Sequence, residues 1–120
     1  MYQVIKLYGD WEPWWFIEGW EDDIIEKLEF DSFELAFDSF ENEWESLKQK
    51  YLNFYSREDL LATFWNQKEQ RWCEECDEYL QQYHSILLLK DNNIIDKELY
   101  QVKYKQFNNK ATSPSSCAIK

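Results

Sequence analysis

Phe33, Phe37, Phe40, Trp44, Leu47 and Tyr51 recur at steps of three and four residues, and this stripe constrains the chain more than any other feature. Six large apolar side chains in one line predict an amphipathic helix that must be covered along its length. Asp31 with Glu34 three residues on reads as a capping box, and the acids of the first turn suit the positive end of the helix dipole. The helix is expected from about Ser32 to Leu52.

Strand signals lie on both sides of it. Tyr2-Gln3-Val4-Ile5-Lys6-Leu7-Tyr8 is rich in β-formers and stops at the turn signal Gly9-Asp10. Ile24 to Phe30 is a second candidate, although its alternation is broken. Ile86-Leu87-Leu88-Leu89 suits a short buried strand, and Asp91-Asn92-Asn93 turns the chain after it. Two further helices are expected. One starts at Ser56 with Asp59 and carries Leu60, Leu61, Phe64 and Trp65; the other carries Cys73, Cys76, Leu80 and Tyr83. The predicted architecture is α+β, a small sheet of about three strands with two or three helices packed on one face. It spans residues 1–107 as one domain, and the polar stretch NNKATSPSSCAIK, residues 108–120, reads as a flexible C-terminal tail. A chain of 120 residues can build one such core without disulfide or metal staples.

The net charge of -11 is unevenly placed. Between Gly9 and Leu47 stand fourteen Asp or Glu against a single Lys, Lys27. Phosphate contact needs the opposite sign, so direct nucleic-acid binding is not expected, and attraction to an anionic membrane is disfavoured for the same reason. A protein partner with a basic patch fits the charge. No apolar run approaches the length of a membrane span and MYQVIKLYGD lacks a signal-peptide core, so the expected location is cytoplasmic, with reduced thiols.

The stretch WEPWWFIEGWEDD, from Trp11 to Asp23, has no clean period of two or 3.6 and reads as a loop or irregular strand. A small core can hardly bury Trp11, Trp14, Trp15 and Trp20 together with Trp44, Trp65 and Trp72. Adjacent Trp14 and Trp15 in extended chain point to opposite faces, which leaves one of them near the surface. An exposed Trp rimmed by Glu12, Glu18, Glu21 and Asp22 suits a partner that bears Lys or Arg. The alternative is a loop folded onto the sheet by its own aromatics.

Trp72-Cys73-Glu74-Glu75-Cys76 raises a different chemistry. A redox Cys-x-x-Cys needs a lowered thiol pKa, whereas Glu74, Glu75, Asp77 and Glu78 oppose a thiolate and Arg71 is the one nearby cation. A thioredoxin-like fold also places the motif after its first strand and faces it with a later cis-proline; here the one later proline is Pro114. Cys73, Cys76 and His84 supply three soft ligands where a structural zinc site wants four. The reading adopted is two inward-facing core thiols on the third helix, with no metal and no cofactor. No Gly-rich phosphate loop, G-x-S-x-G or H-E-x-x-H occurs, and with 24 carboxylates, acid pairs arise by chance.

MYQVIKLYGDWEPWWFIEGWEDDI and RWCEECDEYLQQYHSILLL together resemble an uncharacterised family of small cytoplasmic proteins of Gram-positive bacteria, a domain-of-unknown-function family. Its members are sometimes labelled dithiol-disulfide isomerase, and Cys73 and Cys76 match the positions behind that label. The resemblance implies membership and assigns no catalytic residue. The functional expectation is a non-enzymatic, acidic interaction or regulatory protein, with partner-binding residues Trp14, Trp15, Trp20, Glu12, Glu18, Glu21 and Asp22. Two alternatives stand beside it: a thiol-disulfide oxidoreductase using Cys73 and Cys76, and a nucleic-acid mimic presenting Asp38, Glu41 and Glu45 of the helix.

Overall fold

Five consecutive buried residues, Ser85 to Leu89, mean that the strand holding them is covered on both faces, and the fold is built around that need. The computed structural model describes residues 1–16, 18–56, 60–95 and 110–111. In chain order it has β1 (Tyr2–Gly9), 3-10 turns at Pro13–Trp15 and Trp20–Asp23, β2 (Ile24–Phe30), helix α1 (Phe33–Lys50) and β3 (Asn53–Ser56). Then follow β4 (Leu61–Trp65), β5 (Gln70–Cys73), β6 (Glu78–Gln81), β7 (Tyr83–Lys90), β8 (Asn93–Ile94) and β9 (Lys110–Ala111). The main sheet has the order β2-β1-β7-β4-β3-β9, with β8 folded back on β7; every pairing is antiparallel. β5 and β6 form a separate two-stranded ribbon.

β1 and β7 are the spine, paired from Tyr2 opposite Lys90 to Gly9 opposite Tyr83. Side chains alternate between faces along each strand. Val4, Ile86 and Leu88 therefore meet Ala36, Phe37, Phe40 and Trp44 of α1 on one face. Ile5, Leu7, Leu61, Leu87 and Leu89 form a second cluster on the other face, where Trp14, Phe16, Trp20 and Ile24 pack against them. One helix covers one face. The tryptophan-rich segment covers the other.

The expected sheet of about three strands with two or three helices is thus corrected: the described chain is mostly antiparallel sheet with a single α-helix. The first helix stands where the stripe put it, but Ser32 rather than Asp31 caps it, its hydroxyl accepting from the Leu35 N–H at 3.2 Å. The strands at Tyr2, Ile24 and Ile86 are present. The second expected helix is β3 and β4 instead. Leu60-Leu61-Ala62-Thr63-Phe64 is buried throughout, and a short apolar run of that kind fits a buried strand as well as a helix. Leu60 also takes a φ of 65, outside helical space, just before β4 begins. The third expected helix is the β5–β6 hairpin, with Arg71 opposite Leu80 and Cys73 opposite Glu78. Asp59 and all of residues 108–120 except Lys110 and Ala111 lie outside the described residues, so the tail expectation falls mostly there.

Turns follow the local chemistry. Asp91 and Asn92 both have positive φ, 49 and 64, as a two-residue hairpin between β7 and β8 requires. A Cβ on Gly9 would sit 2.5 Å from an Asp23 carboxylate oxygen, so a larger residue at the end of β1 would make the Asp23 side chain shift.

Candidate functional site

The tryptophan segment is held at both ends and in the middle. Asp10, just after β1, accepts from Arg71 Nε at 2.7 Å, from Arg71 Nη2, and from Gln82 Nε2 at 2.7 Å, which ties the segment to the β5–β6 ribbon. The hydrogen bond from Arg71 holds the Asp10 carboxyl below the usual value, with burial opposing it and Gln82 assisting. Pro13 starts the first 3-10 turn and is buried, and Phe16 leaves it in the left-handed region at φ 43. Gly19, at φ 85, lets the chain enter the second turn. Asp23 ends that turn with its carboxyl pushed up, first by burial and then by the charges of Asp10 and Asp22.

This frame sorts the expected binding residues. Trp14 lies tilted against Tyr55 at 5.2 Å between ring centroids and, with Trp20, serves the second core cluster. Trp20 meets Phe16 edge-on at 5.1 Å. Trp15 is 58% exposed and Trp11 53%. The Trp15 indole N–H donates to Glu12 Oε1 at 3.0 Å, which fixes the ring's edge while its face stays open. Glu18, Glu21 and Asp22 are exposed around it in sequence, and Glu12 is half-buried. Beside Trp20 a cleft of about 560 Å³ opens between Phe16, Ile24, Lys27, Asn93 and Ile94. The segment is therefore both cover and display: Trp14 and Trp20 are spent on the sheet, and Trp15 and Trp11 are not. On α1, Asp38 and Glu45 are exposed and Glu41 is half-buried.

WCEEC occupies the tip of the ribbon. Trp72 and Tyr79, opposite each other across the strands, are both exposed and meet edge-on at 5.0 Å. Cys73 is buried and Cys76 is exposed, which corrects the expectation of two inward-facing thiols on a helix. A four-residue turn, with Asp77 at φ 56, brings the sulfurs to 2.6 Å, and the Cys76 backbone N–H donates to Cys73 Sγ at 3.2 Å. The Cys76 thiol is pushed up to about 11, first by its hydrogen bond to Cys73, then by partial desolvation and the charges of Cys73, Glu78 and Glu75. Among the described residues, no group of three or more His, Cys, Asp or Glu is placed to hold a metal ion.

A third constellation went unseen in the sequence. Register across the sheet places Tyr8 opposite His84, and Tyr51, just after α1, stacks on the same imidazole at 4.6 Å. Glu69 reaches this group from the turn before β5. These four residues stand at positions 8, 51, 69 and 84; the pairing of β1 with β7 joins Tyr8 to His84, and Tyr51 and Glu69 reach the pair from two separate connections.

A family model described as "Protein of unknown function (DUF1033)" matches residues 1–119. The chain belongs to that family. No curated protein and no solved structure matches it. The match spans both stretches that carried the resemblance, the tryptophan segment and WCEEC. Membership in the DUF1033 family therefore covers each constellation just described and attaches a role to none of them. Among the described residues, no helix is long and apolar enough to cross a membrane.

Proposed function

We propose that this chain is an acidic protein-interaction module of the cytoplasm that seats Trp15 in the basic surface of a protein partner. The observation that supports it is the exposure of Trp15 on a segment whose other aromatics are committed to the sheet. An exposed indole on a loose loop loses side-chain and backbone freedom when it binds; here Asp10, Pro13 and the Glu12 hydrogen bond hold it beforehand, so less is lost. Glu18, Glu21 and Asp22 supply the opposite charge to Lys or Arg on the partner, and a guanidinium can lie on the open indole face. The test is affinity capture from the native host with the wild-type chain and Trp15→Ala as parallel baits. A basic partner should be retained by the wild type, lost with Trp15→Ala, and released between low salt and about 0.5 M, because surface charges are screened beyond about 8 Å at 0.15 M. Retention that is indifferent to both changes would refute the reading.

A second reading rests on the sulfur pair at the ribbon tip, close enough for thiol-disulfide exchange. The Cys76 thiol, pushed up to about 11 chiefly by Cys73, is a poor nucleophile, and against fast exchange through the other sulfur stands the burial of Cys73. Alkylation of the reduced chain as a function of pH separates the two. Slow labelling at neutral pH, rising only in alkali, fits a non-catalytic pair; fast labelling near pH 7 fits the oxidoreductase.

A further inference from the structure

His84, the chain's one histidine, stands at the edge of a small cleft that neither the tryptophan segment nor the dithiol uses. Its ring contacts those of Tyr8, tilted at 4.7 Å, and Tyr51, stacked at 4.6 Å. The Glu69 carboxylate accepts from the Tyr8 hydroxyl through Oε2 at 3.0 Å and lies 2.8 Å from His84 Nε2 through Oε1. An ionised carboxylate can only accept, so the assigned tautomer has hydrogen on Nε2, donated to Glu69. That nitrogen then offers no lone pair to Tyr51, whose hydroxyl is 3.1 Å away. The Tyr51 hydroxyl hydrogen is left for another acceptor. Burial first, and then the charge of Glu69, raise the Tyr51 phenol above its ordinary pKa, which keeps that hydrogen in place at neutral pH.

The cleft measures about 250 Å³ and opens where β1 and β2 slip register between Lys6 and Leu7, which leaves Ile25 without a partner residue. Such bulges often sit beside binding sites, because they re-aim side chains. Two cations line it. Lys6 is taken up by Glu26 at 2.9 Å and Glu43 at 3.3 Å. Lys50 has no carboxylate partner among the described residues. Leu47, Ile25 and Ile86 give the wall an apolar side, while Glu43, held by Lys6, and Ser85 complete the lining. A donor and a free cation beside an apolar wall call for an anion with a hydrocarbon body. Glu43 in the lining and Glu26 beyond it, both paired with Lys6, disfavour a second negative charge on it. The volume is that of about eight water molecules, enough for a chain of a few carbons.

We propose that this cleft binds a short-chain monocarboxylate. Its carboxylate accepts from the Tyr51 hydroxyl and the Lys50 ammonium, and its hydrocarbon body lies on Leu47 and Ile25.

A single histidine makes the test direct, because the imidazole carbon-bound protons give unambiguous NMR signals. Butyrate titrated into the full chain at neutral pH should shift them saturably, with a Kd on the order of 1 mM for so small a ligand. Tyr51→Phe, which keeps the ring stack, should weaken binding about tenfold, and Lys50→Ala about threefold. Inorganic phosphate should compete poorly. The proposal is overturned by a shift that does not saturate up to about 50 mM butyrate, by unchanged affinity in both variants, or by equal binding of phosphate and butyrate.

Discussion

The two faces of the sheet are covered in opposite ways. On one, α1 lays down a continuous stripe in which Phe40 and Ala36 are fully buried and Trp44 donates its indole N–H to the buried Ser56 hydroxyl at 3.1 Å. On the other, two 3-10 turns bring Trp14, Phe16 and Trp20 over Ile5, Leu61 and Leu87, and all three stay half-buried. A helix satisfies its own backbone and can devote one whole face to packing. The turns cannot, so they need outside fixtures: the Arg71 and Gln82 bonds to Asp10, and the left-handed glycine at position 19. What such a cover loses in packing it gains in display, since consecutive tryptophans need not face the same way.

This contrast can be broken by substitution. The largest effect is expected on the helix face: Phe40→Ala should cost about 3–5 kcal/mol in urea unfolding, the range for emptying a filled aromatic site. Trp14→Ala on the opposite face should cost less, about 2 kcal/mol, because the ring is only half-buried and the turn can settle into the gap. Equal losses would mean that the tryptophan segment packs as a core element and not as a fixed cover.

A smaller effect concerns the fixture itself. Asp10 has its pKa lowered in the fold, so the unfolded chain binds the proton more tightly there. The clamp's contribution is therefore complete above the ordinary carboxylate value of about 3.9 and is lost as pH falls through the lower folded value. Amide hydrogen exchange of the β5–β6 ribbon should accelerate across that acid window in the wild type. In Asp10→Asn the ribbon should exchange faster already at neutral pH and show no such step. A step that survives in Asp10→Asn would assign it to another carboxylate.

The two covers also differ in how far the sequence discloses them. The helix is legible because a one-sided period of three and four is written within its own residues, from Phe33 to Tyr51. The central strands are legible as apolar runs. The second cover is not, because nothing local to Trp11–Asp23 says which aromatics the sheet will take; that depends on Leu61 and Leu87 arriving from elsewhere. The same limit turned β4 and the β5–β6 ribbon into expected helices. Leu60 to Phe64 suits either state until β7 is seen beside it, and Cys73, Cys76, Leu80 and Tyr83 fall at helical spacing although the turn that holds Cys76 separates Cys73 from Leu80 and Tyr83. The Tyr8–His84–Tyr51–Glu69 group lay furthest out of reach, since it needs the register of Tyr8 opposite His84 and the arrival of Tyr51 and Glu69 from two separate connections.

The smallest stability effect carries the central claim, that Trp15 is displayed while Trp14 is spent on the fold. Urea unfolding of Trp15→Ala, measured beside the wild type and Trp14→Ala, tests it without any partner. With its face in solvent and one exposed hydrogen bond to Glu12, Trp15 should give a loss within about 0.5 kcal/mol of the wild type. A loss equal to that of Trp14→Ala would show that the fold needs both rings and would contradict the account.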